Sequence, residues 1–210
     1  FMLPSKTQKI SPADHNSPRL ILKSMKDLLS MPRFWLFLAA MFLTGGAEHC
    51  LNFWMPTYVQ GHFAGSGIVG SIGPVVFALG MASGRMTAGI FGNPGKLRQL
   101  MMGGVIIAFC AALASQIAPS LWWFYALVAL MGFSSGPVWP SLLGLSAATI
   151  NHDRTIMFIL MPCVGIPGCG FFPWLMGTVA DLAGLQRSFL LLPLCFLLLL
   201  VILAILKDRR

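Results

Sequence analysis

Acidic residues are scarce in this chain: six Asp and Glu stand against 14 Lys and Arg in 210 residues, a formal net charge of +8. Charge of either sign is thin, at 10% of the sequence against 57% apolar residues, and the mean hydropathy is +0.80. A soluble domain of this length could not bury so much apolar surface, so that class is excluded. The period-two alternation of an outer-membrane barrel strand is also missing, because the apolar runs are continuous. Cys50, Cys110, Cys163, Cys169 and Cys195 all fall inside those runs, where cysteine acts as a small apolar residue. Neither a disulfide framework nor a metal centre nor a cofactor is indicated. No cleavable signal precedes the first run.

What the sequence does contain is a set of segments long enough to cross ~30 Å of hydrocarbon as helices. They fall at about 34–59, 68–91, 100–118, 122–148, 156–180 and 189–206. The expectation is an all-α membrane protein with a bundle of six transmembrane helices over 34–206, preceded by a linker, 1–33, and followed by a short tail, 207–210. Lys6, Lys9, Arg19, Lys23, Lys26 and Arg33 precede the first span, Lys96 and Arg98 separate the second from the third, and Arg154 lies before the fifth. Lys207, Arg209 and Arg210 close the chain, whereas the alternate connections hold only Arg187. Basic loops favour the cytoplasm, which places both termini inside. The positive charge follows from this topology and needs no nucleic acid, although basic flanks also attract anionic lipid. Within the linker, Pro18 starts a segment in which Leu20, Met25, Leu28 and Leu29 form an apolar stripe beside Arg19, Lys23 and Lys26, the pattern of an interfacial helix. A chain that begins at Phe1 in such a polar tether reads as the later part of something longer.

Glu48 is the one acidic residue near the middle of any apolar run. A carboxylate at mid-bilayer depth costs roughly 3 kcal/mol, so it normally faces a wet cavity or a partner and serves a function, which points to a transporter. Thr44, Glu48 and Asn52 recur at i, i+4 and i+8 and so share one helix face, expected to be wet or protein-facing. His49 falls on a neighbouring face with Gly45 and Phe53 and reads as a packed or hydrogen-bonded residue rather than a proton relay. Pro137, Pro140, Pro167 and Pro173 interrupt the fourth and fifth spans and are expected as helix breaks, which in transporters mark moving or substrate-contacting segments. Gly132, Gly136, Pro140 and Gly144 recur every four residues as a small face suited to close helix contact, with Gly80 and Gly84 offering the same in the second span. Ser135 and Trp139 lie beside that face, the tryptophan as a stacking platform or a packing anchor.

These residues carry a family resemblance. Gly84-Arg85-x-x-x-Gly89, followed by a turn with Lys96 and Arg98, resembles the loop motif in the second half of major facilitator superfamily transporters. Gly132-Phe133-Ser134-Ser135-Gly136-Pro137-Val138-Trp139-Pro140-Ser141 resembles the tenth helix of its sugar-porting branches, and Pro173-Trp174-x-x-Gly177-x-x-x-Asp181-x-x-Gly184 the end of its eleventh. Gly46-Ala47-Glu48, with Trp54 and Tyr58, is most similar to the seventh helix of the fucose–galactose–glucose:proton symporters. Asn93-Pro94 stands where the loop motif usually carries an acidic residue, and His49 where a small or apolar residue is commoner.

The resemblance implies the C-terminal half of such a fold, working by alternating access with an N-terminal six-helix half that is not in this sequence. It implies secondary transport of a small polar solute, a monosaccharide, coupled to protons across the plasma membrane, in bacteria the inner membrane. Glu48 would couple the proton. Thr44, Asn52, Ser135 and Trp139 would bind the solute, and Gly84, Arg85 and Gly89 would form the gate motif, with Arg85 snorkelling at the cytoplasmic side. Two other readings stand beside it. One is a non-transporting receptor or sensor of the same fold. The other is an intramembrane serine protease built on Ser134 or Ser135, for which the last span carries no histidine to act as base.

Overall fold

The structure, a computed structural model, describes residues 18–63 and 67–206. Among these residues every regular element is helical: α1 (Pro18–Leu29), α2 (Pro32–Phe63), α3 (Gly67–Phe91), α4 (Leu97–Ser115), α5 (Leu121–Ser135), α6 (Val138–Thr149), α7 (Arg154–Ala183), α8 (Leu185–Ser188) and α9 (Leu191–Ile205), with a 3-10 turn at Pro94–Lys96 ahead of α4. Six stretches are long and apolar enough to span a bilayer, with α5 and α6 together forming the fourth and α8 and α9 the sixth. The protein is an all-α, multi-pass membrane protein.

Local chemistry sets several of the boundaries. Pro32 occupies the first position of α2, where its fixed φ suits a helix start and its missing N–H costs nothing. The Asp153 side chain accepts from the Thr155 and Ile156 amides and so caps α7, and Gly184, at φ 89°, ends it in a conformation that side chains resist. Asn93 Oδ1 accepts from the Gly95 amide at 2.9 Å and shapes the turn into α4.

The fourth span, Leu121–Thr149, is interrupted where Pro137 is expected as a break: α5 ends at Ser135 and α6 begins at Val138, although Gly136 and Pro137 between them keep right-handed helical torsions. Conversely, the expected breaks at Pro140, Pro167 and Pro173 do not occur: α6 continues through Pro140, and α7 runs unbroken past Pro162, Pro167 and Pro173. Each proline removes only one hydrogen bond, and in an apolar medium the remaining bonds hold the helix while neighbours meet the freed carbonyl. Residues 1–17 of the linker and the 207–210 tail lie outside the described residues. The rest of the linker contains α1, which docks Leu28, fully buried, and Met25 on the bundle and leaves Ile21 and Leu22 exposed.

α2 is the most buried span and α3 the least. α2 packs on α3, α6, α7 and α9, α5 lies against α3 and α4, and α4 reaches α9. Glycine permits the closest of these approaches. A Cβ on Gly132 of α5, or on Gly136 just after it, would meet the Phe77 or Met81 carbonyl of α3, and one on Gly80 or Gly84 would meet the Ala129 or Phe133 carbonyl in return. That is the close-contact face expected from the four-residue repeat. Between α2 and α7, Gly168 lies against the Phe42 carbonyl and Gly46 against the Phe172 ring. Polar ties cross the same seams: Trp54 Nε1 donates to the Pro173 carbonyl at 2.8 Å, and the Tyr125 hydroxyl donates to the Val69 carbonyl.

Candidate functional site

The Thr44, Glu48 and Asn52 series does not form one open wall. Thr44 is buried, and its hydroxyl donates back to the Ala40 carbonyl at 2.7 Å, leaving it little capacity for a ligand. Glu48 is also buried, at 8% exposure, and its Oε1 has no hydrogen-bond partner among the described residues. Burial of a bare carboxylate oxygen is costly enough to require a role or a missing partner. Asn52 is half-buried and donates from Nδ2 to the Glu48 carbonyl at 3.0 Å.

The open face of α2 lies one residue further round the helix. His49, Asn52, Phe53 and Trp54 form one wall of a groove of about 630 Å³, and Cys169, Gly170, Pro173, Trp174, Gly177, Thr178 and Asp181 of α7 form the other. His49, expected to be packed or hydrogen-bonded, is exposed in this groove and lies within hydrogen-bond distance of the Gly45 carbonyl. Its Nδ1 lies 3.1 Å from the Gly45 carbonyl, which can only accept, so Nδ1 is the donor of that pair. An imidazole, an amide, a hydroxyl and a carboxylate are thus set among broad aromatic surfaces, a mixture suited to a small polar ligand with apolar faces. His49, Thr178, Asp181 and Trp174 were missed as site residues. The signal was present: 174, 178 and 181 follow i, i+4 and i+7, while 49, 52 and 53 follow i, i+3 and i+4.

The other expected site residues surround the α5/α6 break. Ser135 is buried, and its Oγ is without a partner among the described residues. Trp139 is half-buried, with its ring wedged between two helices: a Cβ on Gly165 of α7 would lie 2.5 Å from it, and one on Gly45 of α2 would lie 3.4 Å away. The indole is therefore a packing wedge behind the groove, outside its lining. Gly84 sits against the Phe133 carbonyl, while Gly89 is open to its surroundings. Arg85, expected to snorkel at a gate, donates from Nε to the Gly136 carbonyl at 3.0 Å. Pro137 lies in the break itself, Pro140 is exposed on α6, and Pro173 contributes to the groove.

Comparison with known proteins accords with this architecture. Two solved structures superpose on the chain: the fucose:proton symporter FucP of Escherichia coli, at a TM-score of 0.78 and 18% identity, and FucP in the outward conformation, at 0.77 and 19%. Each alignment covers 93% of this chain but 48% of the other, so the chain spans about half the length of the structures it resembles. At such identities the likeness is one of fold. A search of curated proteins finds no match. The sequence model described as Major Facilitator Superfamily matches residues 1–169, four-fifths of the sequence, and the chain belongs to that superfamily.

Proposed function

We propose that this chain is the C-terminal half of a proton-coupled carrier for a small polar solute, a monosaccharide, and that the groove between α2 and α7 supplies one wall of the binding site. The observation that carries this reading is Glu48, a carboxylate buried at the middle of the most buried span with one oxygen unpartnered, directly behind the groove-lining His49 and Asn52. Protonation of such a group depends on whether water reaches it, and that is the quantity alternating access changes. Family membership and the symporter likeness support the carrier reading and leave the intramembrane protease without a basis.

In the proposed arrangement Trp54 and Trp174 present faces to the sugar ring, and His49 Nε2, Asn52, Thr178 and Asp181 exchange hydrogen bonds with its hydroxyls. Glu48 carries the coupling proton. Each net charge moved inward through ~100 mV contributes ~2.3 kcal/mol to accumulation. Both termini lie on the cytoplasmic side of a plasma membrane, residues 1–33 link this bundle to an N-terminal six-helix half, and that half provides the opposite wall. Solute, proton and lipid are the partners, and no nucleic acid is involved.

The test is Glu48→Gln in the two-half carrier in proteoliposomes. The substitution keeps size and most hydrogen bonding while removing the titratable charge. Exchange of solute between equal compartments should survive, and accumulation driven by a pH gradient should be lost. Proton-driven accumulation at the unmodified level would remove Glu48 from the coupling step. Saturable sugar binding without any uptake would favour a receptor of the same fold.

A further inference from the structure

α3 and α4 are consecutive spans, yet each packs on α5 more than on the other. The gap between them is a groove of about 360 Å³, with Gly84 and Phe91 on the α3 side, Leu100, Gly103 and Ile107 on the α4 side, and Phe133 of α5 as its floor. Its inner wall offers little to a polar ligand. The Thr87 hydroxyl donates to the Ser83 carbonyl at 2.8 Å and the Ser134 hydroxyl to the Leu130 carbonyl at 2.7 Å, so both are spent within their own helices. Glycine gives the groove its depth: Gly84 and Gly104 let the walls approach the Phe133 and Ser134 carbonyls, whereas a Cβ on Gly103 would meet nothing within 4 Å.

The groove runs inward from the ends of its helices. Gly92, just past α3, and Gln99, in the first turn of α4, stand at the mouth. Ile107 lies eight residues further along α4 than Gln99, about 12 Å at the helical rise, against ~15 Å for one leaflet of a ~30 Å hydrocarbon core. The mouth is basic. Lys96 and Arg98 fall between Gly92 and Gln99; Arg98 is committed to the Leu203 and Ala204 carbonyls of α9, and Lys96 is exposed. Between Glu48 and Asp153 the sequence contains no Asp or Glu, so none of the three helices that build the groove carries a countercharge.

We propose that this groove holds one acyl chain of an anionic phospholipid whose phosphate sits on Lys96, with the Gln99 carboxamide beside it. An apolar slot about one leaflet deep fits the chain, and an exposed cation without a countercharge at its mouth fits the headgroup. Placing that lipid in the cytoplasmic leaflet rests on the topology proposed above. The binding itself needs neither that orientation nor transport.

The test is lipid retention by the full-length protein in a neutral detergent, read by native mass spectrometry while phosphatidylglycerol or phosphatidylcholine of identical chains is titrated. One phosphatidylglycerol should bind about fivefold more tightly than phosphatidylcholine, the effect of one lysine near a membrane surface. It should also raise the unfolding midpoint, as a ligand bound only by the folded state does. Lys96→Gln should remove the preference and leave phosphatidylcholine as it was. Gly103→Leu fills the slot without touching the charge and should abolish retention of both lipids, while the lipid-free midpoint holds because the new side chain enters open space. Arg154→Gln removes an exposed cation that is not part of the groove lining and should change nothing. Equal retention of the two lipids, an unaltered preference in Lys96→Gln, or the same loss in Arg154→Gln would each overturn the proposal by reducing the effect to a general coat of lipid. Retention that survives in Gly103→Leu would overturn it as well, and loss of a partner chain or a second copy from that variant's spectrum would then assign the groove to a protein helix. The expected pattern in a protein without uptake would uphold the lipid site and count against the carrier reading alone.

Discussion

At the scale of single residues, the bundle depends on positions where a side chain would have no room. A Cβ on Gly136 would lie 2.6 Å from the Met81 carbonyl oxygen, closer than any unstrained contact, and the obstacle is backbone of α3 that cannot swing aside. Gly136→Leu should therefore force α5 from α3 and lower stability by about 1–3 kcal/mol. Thermal unfolding in detergent would record a fall of several degrees. Unchanged stability combined with weaker solute binding would mean that Gly136 lines the cavity rather than the helix contact. Trp139 illustrates the same economy from the other side, since Gly165 and Gly45 leave the space its ring occupies. Glu48 departs from the rule that buried polar groups are satisfied, as do Tyr58 and Ser135 among the described residues, and of the three it alone is a carboxylate.

Helices in this protein are joined where a terminus or a proline leaves carbonyls without donors. Arg98, at the start of α4, donates from Nε to the Leu203 carbonyl at 2.8 Å and from Nη2 to the Ala204 carbonyl at 3.2 Å, capping the last turn of α9 with a positive charge where the helix dipole favours one. Arg98→Ala should cost about 2 kcal/mol, as expected for hydrogen bonds to a charged group. Unfolding midpoints should fall, and Arg98→Lys should recover only part of the loss because a lysine cannot present the same fork. An undiminished midpoint in Arg98→Ala would show that the cap is replaced by solvent or lipid headgroups.

The helices themselves were largely legible in the sequence, because apolar runs of this length have few alternatives in a bilayer. The end of α5 at Ser135 was less so: of the prolines in the fourth and fifth spans only Pro137 coincides with an interruption, and the local sequence does not reveal which freed carbonyls a neighbouring helix will meet. The faces of α2 were least legible. A span apolar all round has little contrast between its sides, so the choice between the Thr44–Glu48–Asn52 stripe and the His49–Asn52–Phe53 stripe is made by packing against α7 and α9 rather than by periodicity.

For the molecule as a whole, the distribution of polar groups argues for a second bundle. The groove presents His49, Asn52, Thr178 and Asp181 along one side of the helices, and α3, the least buried span, exposes Arg85. Left alone in a bilayer, His49 and Asn52, midway along α2, would face hydrocarbon, where polar groups are costly. A facing bundle would cover them and enclose the groove. The 210-residue chain reconstituted by itself should accordingly show no saturable uptake of sugars, whereas co-expression with an upstream six-helix half should restore it. Counterflow of labelled sugar in proteoliposomes of defined stoichiometry is the measurement, because it needs no gradient and so does not depend on Glu48 coupling. Uptake by the chain as a monomer would refute the half-carrier reading outright. Uptake only by a homodimer would place both walls of the site on copies of the same chain, with His49 facing its own counterpart across the groove.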